Sequence, residues 1–357
     1  MAKKKDKSAL SIKKGTVPPE NIRFSKKKFK SFSVDDLFLG IRQGNRTALG
    51  KAITLIESTK PKHIEESNIL IDKCLPFSGK SFRIGITGVP GVGKSTFIEQ
   101  LGLFLLSKNH KVAVLAVDPS SIHSKGSILG DKIRMEKLSV SNNAFIRPSP
   151  SAGSLGGVAK KTRETIILCE AAGYNYILIE TVGVGQSEVA VRSMVDFFLL
   201  LMLAGAGDEL QGIKRGIIEM ADLLAINKAD GENVTNAELA KQNYRNALHL
   251  FPKKDSGWQP PVLSCSALTG YGIEDIFLQM ETYKAQTLAS GFFIQNRKYQ
   301  AKYWLEETIW ENLKKDFFYD KNIMTIYQNM EQAVINEKMS PFIAAQKLLD
   351  FYKKKKS

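Results

Sequence analysis

A chain of 357 residues with 43% hydrophobic content is long enough for one large α/β domain with helical additions, and a formal net charge of +15 first suggests a nucleic-acid or membrane partner. The placement of the charge makes that suggestion secondary, because residues 1–30 carry +9 and Lys353–Lys356 carry +4, leaving +2 for residues 31–352. A nearly neutral body with charged, Pro-containing ends reads as a folded core with solvated tails, so neither a membrane nor nucleic acid is the expected partner.

The Lys-dense start lacks an apolar h-region, so no signal peptide is expected. Cys74, Cys169 and Cys265 are odd in number and form no CxxC, which points to reduced thiols in a cytoplasmic protein. In chain order, residues 1–32 read as a basic, flexible tail, and residues 33–78 as a helical unit with helices over 34–40, 46–58 and 64–74. Residues 79–290 read as one nucleotide-binding domain. Its expected strands are Phe82 to Thr87, Val112 to Val117, Ala144 to Arg147, Tyr176 to Glu180, Phe197 to Leu203, Leu223 to Asn227 and Val262 to Ser264. Strands that alternate with helices predict a mostly parallel sheet covered on both faces. The longest apolar run, Phe197 to Ala206, is too short to span a bilayer and reads as a buried central strand. A helix over 270–288 closes the domain, and residues 291–357 read as an arm with helices near 302–315, 323–337 and 340–352. The arm carries Tyr303, Trp304, Ile309, Trp310, Leu313 and Phe317 at helical spacing. Such a stripe must be covered, either by the chain's own domain or by a second copy.

The first expected strand runs straight into Gly88-Val89-Pro90-Gly91-Val92-Gly93-Lys94-Ser95, and the helical run Thr96 to Leu106 follows. This is the phosphate-binding pattern G-x-x-x-x-G-K-[ST] between a strand and a helix. Its glycines let backbone N–H groups converge on the β-phosphate, Lys94 bridges the β- and γ-phosphates, and the Ser95 hydroxyl serves Mg²⁺. The helix start adds its positive end. A nucleoside triphosphate is therefore the expected ligand, on a P-loop NTPase fold.

The base is read from Asn227-Lys228-Ala229-Asp230, at the end of another strand. A carboxylate at Asp230 can accept from both N1–H and the 2-amino group of guanine, whereas adenine would leave that charge unpaired. Ser266-Ala267-Leu268, after the last strand, supplies a third loop at the base. The ligand is expected to be GTP or GDP.

Metal and hydrolysis chemistry is expected at the strand ends nearest Lys94. Asp118 follows one strand and Glu180 ends another, so both are candidates to hold Mg²⁺ or orient its waters. Asp131, in a Gly-rich run, is a third. An acid at a strand end is also a common helix cap, so a structural role stays open for Asp118 and Asp131. In Ras-like GTPases a catalytic Gln directly follows the switch glycine; here Gly183 is followed by Val184. Slow intrinsic hydrolysis is expected, helped by Gln186 or by a loop that a partner moves in.

The phosphate loop, Asp118-Pro119-Ser120-Ser121, Gly126 to Met135, Glu180-Thr181-Val182-Gly183-Val184-Gly185-Gln186-Ser187-Glu188 and Ala204 to Lys214 together resemble the MeaB/MMAA/ArgK family, GTPase chaperones of adenosylcobalamin-dependent methylmalonyl-CoA mutase. The resemblance covers roughly residues 35 to 350. It implies a homodimer joined through the C-terminal helices, and Mg²⁺ held by Ser95, Asp118, Asp131 and Glu180. It further implies that Asp208 to Lys214 is a third switch bringing Gln211 and Lys214 to the nucleotide when the mutase binds. The Lys-rich ends fall outside the family pattern. Two other readings stay open. A metal-inserting GTPase would be expected to show a Cys/His site, whereas His63, His110, His123 and His249 are scattered. A GTP-dependent scaffold would use the basic tails to contact RNA.

Overall fold

The computed structural model describes residues 33–117, 135–148, 155–181, 187–205 and 215–356. Ser33 caps α1 (Val34–Arg42): its hydroxyl accepts from Asp36 N while the Asp36 carboxylate accepts from Ser33 N. The reciprocal pair satisfies two donors that the first turn leaves open. Asn45 caps α2 (Arg46–Glu57) through Thr47 N and Ala48 N, and Pro61 starts α3 (Pro61–Cys74) at a position where a missing N–H costs nothing. Leu37, Ile41, Ile53, Ile56 and Leu70 face inward from these helices and join the main core.

Seven strands follow: β1 (Phe82–Gly88), β2 (Val112–Val117), β3 (Ala144–Arg147), β4 (Tyr176–Thr181), β5 (Phe197–Leu203), β6 (Leu223–Asn227) and β7 (Val262–Ser264). They form one sheet in the order β3-β2-β4-β1-β5-β6-β7, and every pairing is parallel. Parallel strands must be reached by crossovers, which here are helical and cover both faces, so the strands read as continuous apolar runs rather than alternating ones. In β1 and β4 every residue is buried, and Phe197 to Met202 of β5 are too. The run 197–206 is thus a central strand, as its composition predicts.

The crossovers and connections are α4 (Lys94–Ser107), the short α5 (Glu136–Ser139), α6 (Leu155–Ala171), α7 (Ser187–Arg192), α8 (Arg215–Met220), α9 (Val234–Leu248) and α10 (Ile273–Ala289). Two glycines allow close approach here. A Cβ on Gly85 would lie 2.8 Å from Phe198 Cδ2 and 3.0 Å from Val191 Cγ1, so its absence lets α7 and β5 close on β1. Gly102 does the same for α4 against Leu138 of α5, at 2.8 Å.

The chain ends in α11 (Phe292–Phe318), α12 (Lys321–Ile335) and α13 (Pro341–Lys356). Residues 302–315 predict only the middle of α11, which is 27 residues long and starts directly after Gly291 at φ 78°. Its first ten residues mix five apolar side chains with five polar ones, which hides the helical period. Only part of the apolar stripe is covered by the chain's own domain. Trp304 is buried on the nucleotide-binding domain with Tyr303 beside it, whereas Ile309, Trp310 and Leu313 are 49%, 60% and 46% exposed. No helix among the described residues is long and apolar enough to cross a membrane.

Candidate nucleotide-binding site

Parallel pairing brings the carboxyl ends of all the strands to one edge, the place where open α/β sheets bind ligands. β1 ends in the phosphate loop. Gly91 and Gly93 adopt φ of 77° and 92°, left-handed values that favour glycine. A Cβ on Gly88 would fall 2.5 Å from Leu201 O of the neighbouring strand, and one on Gly93 would fall 3.0 Å from Asn227 Nδ2. The pattern's glycines are therefore required by the neighbours as much as by the turn. Lys94 Nζ donates to Gly88 O at 2.9 Å and to Val89 O at 3.3 Å, which holds the ammonium over the loop. Burial pushes the Lys94 ammonium below its ordinary pKa, and the carboxylates of Glu180 and Glu188 oppose that shift.

The Ser95 hydroxyl donates to Glu180 Oε1 at 3.2 Å. A hydroxyl at the start of α4 and a buried carboxylate at the end of β4 thus face each other, the hard-oxygen donor set that Mg²⁺ prefers. The strand ends behind them are tied by a Thr181 hydroxyl that donates to Thr87 Oγ1 at 2.7 Å, both side chains fully buried. β2 ends alongside, with Val117 paired to Thr181. Asp118, Asp131, Gln186, Gln211 and Lys214 lie outside the described residues. Among the described residues no group of three His, Cys, Asp or Glu side chains could hold a metal.

On the far side of the phosphate loop lies the base pocket. Asn227, 1% exposed, donates from Nδ2 to Val92 O at 2.7 Å and accepts at Oδ1 from Ala267 N at 3.0 Å. One amide thereby clamps the phosphate loop to the Ser266-Ala267-Leu268 loop. Lys228 turns the chain at φ 62°, and Ala229 N then donates to Cys265 O at 2.9 Å. This turn presents Asp230, whose Oδ2 accepts a hydrogen bond from the buried Ser266 hydroxyl. Asp230 itself is only partly buried. The Gly272 Cβ position would lie 2.3 Å from Ser264 O, so glycine is needed for α10 to start this close to β7.

Three sequence motifs separated by up to about 180 positions are thus one continuous site. Lys94, Ser95, Glu180, Asn227, Lys228, Asp230, Ser266, Ala267 and Leu268 all lie along it; Leu268, 77% exposed, stands at its rim. Two features are not predicted from the motifs. Glu188, in the first turn of α7 and 2% exposed, acts on Lys94 from outside any phosphate-loop spacing rule. The Thr87 and Thr181 pair is legible only from the register of β1 and β4.

Comparison with known proteins agrees with this geometry. The family model for the methylmalonyl Co-A mutase-associated GTPase MeaB matches residues 49–322. A probable GTPase of Mycobacterium tuberculosis is 48% identical over 318 residues, covering 89% of this chain and 95% of that protein. The GTPase ArgK of Escherichia coli is 47% identical over 311 residues, with 87% and 94% covered. A mitochondrial methylmalonic aciduria type A homolog of Mus musculus is 46% identical over 330 residues, with 90% and 80% covered. The solved structure of an LAO/AO transport system kinase superposes with a TM-score of 0.73 at 40% identity, covering 90% of this chain and 97% of that one. With the phosphate loop, the guanine turn and their shared clamp in place, the chain belongs to the MeaB family, together with its MMAA and ArgK relatives, and is a GTPase.

Proposed function

We propose that this GTPase is a chaperone that gates cobalamin loading and protection of methylmalonyl-CoA mutase or a related acyl-CoA mutase. The observation that carries the reading is the match of residues 49–322 to a family described by its association with that mutase, on a chain whose guanine and phosphate motifs are bonded to each other through Asn227. The GTP β-γ bond is the one cleaved. Lys94 neutralises charge on the β- and γ-phosphates as the bond to the γ-phosphoryl group loosens. Ser95 and Glu180, joined by Asp118 and Asp131, would hold Mg²⁺, which offsets charge on the phosphate oxygens. Val184 stands where Ras-like enzymes carry their catalytic Gln, so intrinsic turnover is slow, and Gln211 and Lys214 act when the partner engages. The two nucleotide states then differ in affinity for the mutase, which is what lets hydrolysis time cofactor transfer.

The same reading treats the chain as a homodimer. Ile309, Trp310, Leu313, Phe342 and Ile343 of the C-terminal helices form exposed apolar surface that a second copy would cover. Residues 1–32 are then a basic tail beside a helical unit (33–78), a GTPase domain (79–290) and a dimerisation arm (291–357).

The test is the steady-state GTPase rate of the purified protein, alone and with the adenosylcobalamin-dependent mutase of the same organism. Strong stimulation that Gln211→Ala and Lys214→Ala both lose is the expected result. A flat rate with normal GTP binding would leave the GTPase intact and remove the mutase as its partner.

A further inference from the structure

The short helix α7 packs on β1 and leads into the stretch of chain that α11 touches. At six residues it is about 9 Å long. Its Val191 packs on β1, the strand that ends in the phosphate loop, 3.0 Å from where a Cβ on Gly85 would lie, and its first turn holds the buried Glu188, whose charge acts on Lys94. Its last residue, Arg192, donates to the fully buried Asp222 at 3.0 Å. The chain then passes through residues 193–196 into β5.

One face of α11 is bonded to that passage. Arg297 donates from Nε to Asp196 Oδ1 and from Nη2 to Oδ2, both at 2.7 Å. Gln300 Nε2 donates to Val195 O at 2.7 Å, and Trp304 Nε1 donates to Ser193 O at 3.1 Å. Positions 297, 300 and 304 share one helix face. Their partners run in the reverse order 196, 195, 193, so the helix lies along the passage rather than touching it at a point. Two of the three partners are main-chain carbonyls, and the third, Asp196, is itself fixed where Oδ2 accepts from Arg83 N at 2.8 Å. Gln300 and Trp304 are 3% and 8% exposed. A shift of α7 that propagates into residues 193–196 either carries α11 with it or breaks these hydrogen bonds.

We propose that α7 and residues 193–196 form a rigid link through which the nucleotide site and the C-terminal arm bias each other. The arm end of the link is the first half of α11, and the exposed Ile309, Trp310 and Leu313 lie beyond it on the same helix. Coupling of this kind is reciprocal: whatever engages the arm changes the relative affinity for GTP and GDP by the factor that the nucleotide imposes on the arm. The link needs no mutase, so its failure is separable from failure of the chaperone reading.

Hydrogen exchange read by mass spectrometry on the full chain, with Mg²⁺ and either GDP or a non-hydrolysable GTP analogue, tests it. Nucleotide occupancy is verified in each sample. In the wild type, peptides over 187–196 and over 297–304 are expected to differ between the two nucleotides. In Gln300→Leu/Trp304→Phe the difference is expected to persist at 187–196 and to be lost at 297–304. Gln300→Leu preserves volume and removes an amide whose Oε1 has no hydrogen-bond partner among the described residues, and Trp304→Phe retains a buried ring. Should the double variant melt early, each single variant is expected to diminish the response at 297–304. A wild type whose 297–304 exchange ignores the nucleotide, or variants whose arm responds as fully as the wild type, would overturn the proposal.

Discussion

Lys94 is held by two loop carbonyls in a half-buried position, so its charge is already partly desolvated where the phosphates bind. Hydrogen bonds to charged groups are worth about 1.5–3 kcal/mol each. Lys94→Ala is expected to weaken GTP binding by on the order of 100-fold or more, which titration with a fluorescent GTP analogue measures; wild-type affinity would refute the phosphate-loop role. Asp230 is oriented by the Ser266 hydroxyl, so its remaining oxygen is set for a donor edge. In Asp230→Asn the side chain donates where guanine also donates, and preference is expected to move from GTP towards xanthosine triphosphate. Competition between the two nucleotides reads this out, and unchanged GTP selectivity would exclude Asp230 from base recognition. Both residues could be singled out because each motif is short and contiguous. Asn227 shows the limit: the pattern places it with the base, whereas its amide spends both ends on protein, joining Val92 to Ala267.

At the scale of elements, the edge of the sheet opposite the nucleotide is held by buried charge. Glu170 of α6 accepts from Arg83 Nε at 2.9 Å and Nη2 at 3.1 Å, and also from Gly79 N and the Ser81 hydroxyl. Burial raises the Glu170 pKa, but Arg83 and the hydrogen bonds outweigh it, and the carboxyl ends below its ordinary value. The folded state thus releases this proton more readily than the unfolded chain does. Its contribution is complete above the ordinary Glu value and is lost as pH falls through the lowered one. Breaking one side of such a pair costs about 3–5 kcal/mol, so Glu170→Leu is expected to lower the urea midpoint clearly at pH 7, and by less once the pH has fallen through the lowered Glu170 value. An equal loss at both pH values would show that the carboxylate's charge is not what matters. In α11, Trp304 is covered whereas Trp310 is exposed, so the proposed self-association would use the distal half. Trp310→Glu is expected to yield a monomer by analytical ultracentrifugation while GTP binding persists; an unchanged mass would move the interface elsewhere.

On the scale of the whole molecule, charge and architecture separate cleanly. The +15 net charge belongs to the ends of the chain, and the near-neutral body holds a seven-stranded parallel sheet whose carboxyl edge carries the chemistry. The strand boundaries could be read in advance because parallel strands buried on both faces become continuous apolar runs, and β5 is the clearest case. Helices α6 and α9 were harder to read: Leu155–Ala171 begins with paired glycines, and Val234–Leu248 is largely polar, so neither shows a strong 3.6-residue period.

The sequence by itself determined the ligand class, since phosphate and guanine recognition rest on short contiguous patterns whose backbone and side-chain groups act locally. It also determined the sheet, through apolar runs of strand length. Only the tertiary structure decided how the motifs meet. The strand order that sets β1 between β4 and β5, the Asn227 clamp, the approach of Ser95 to Glu180, and the run of Arg297, Gln300 and Trp304 along residues 193–196 all join positions 40 to 135 residues apart. Contacts at that separation leave no local periodicity, because their partners are chosen by packing and strand order rather than by spacing along the chain.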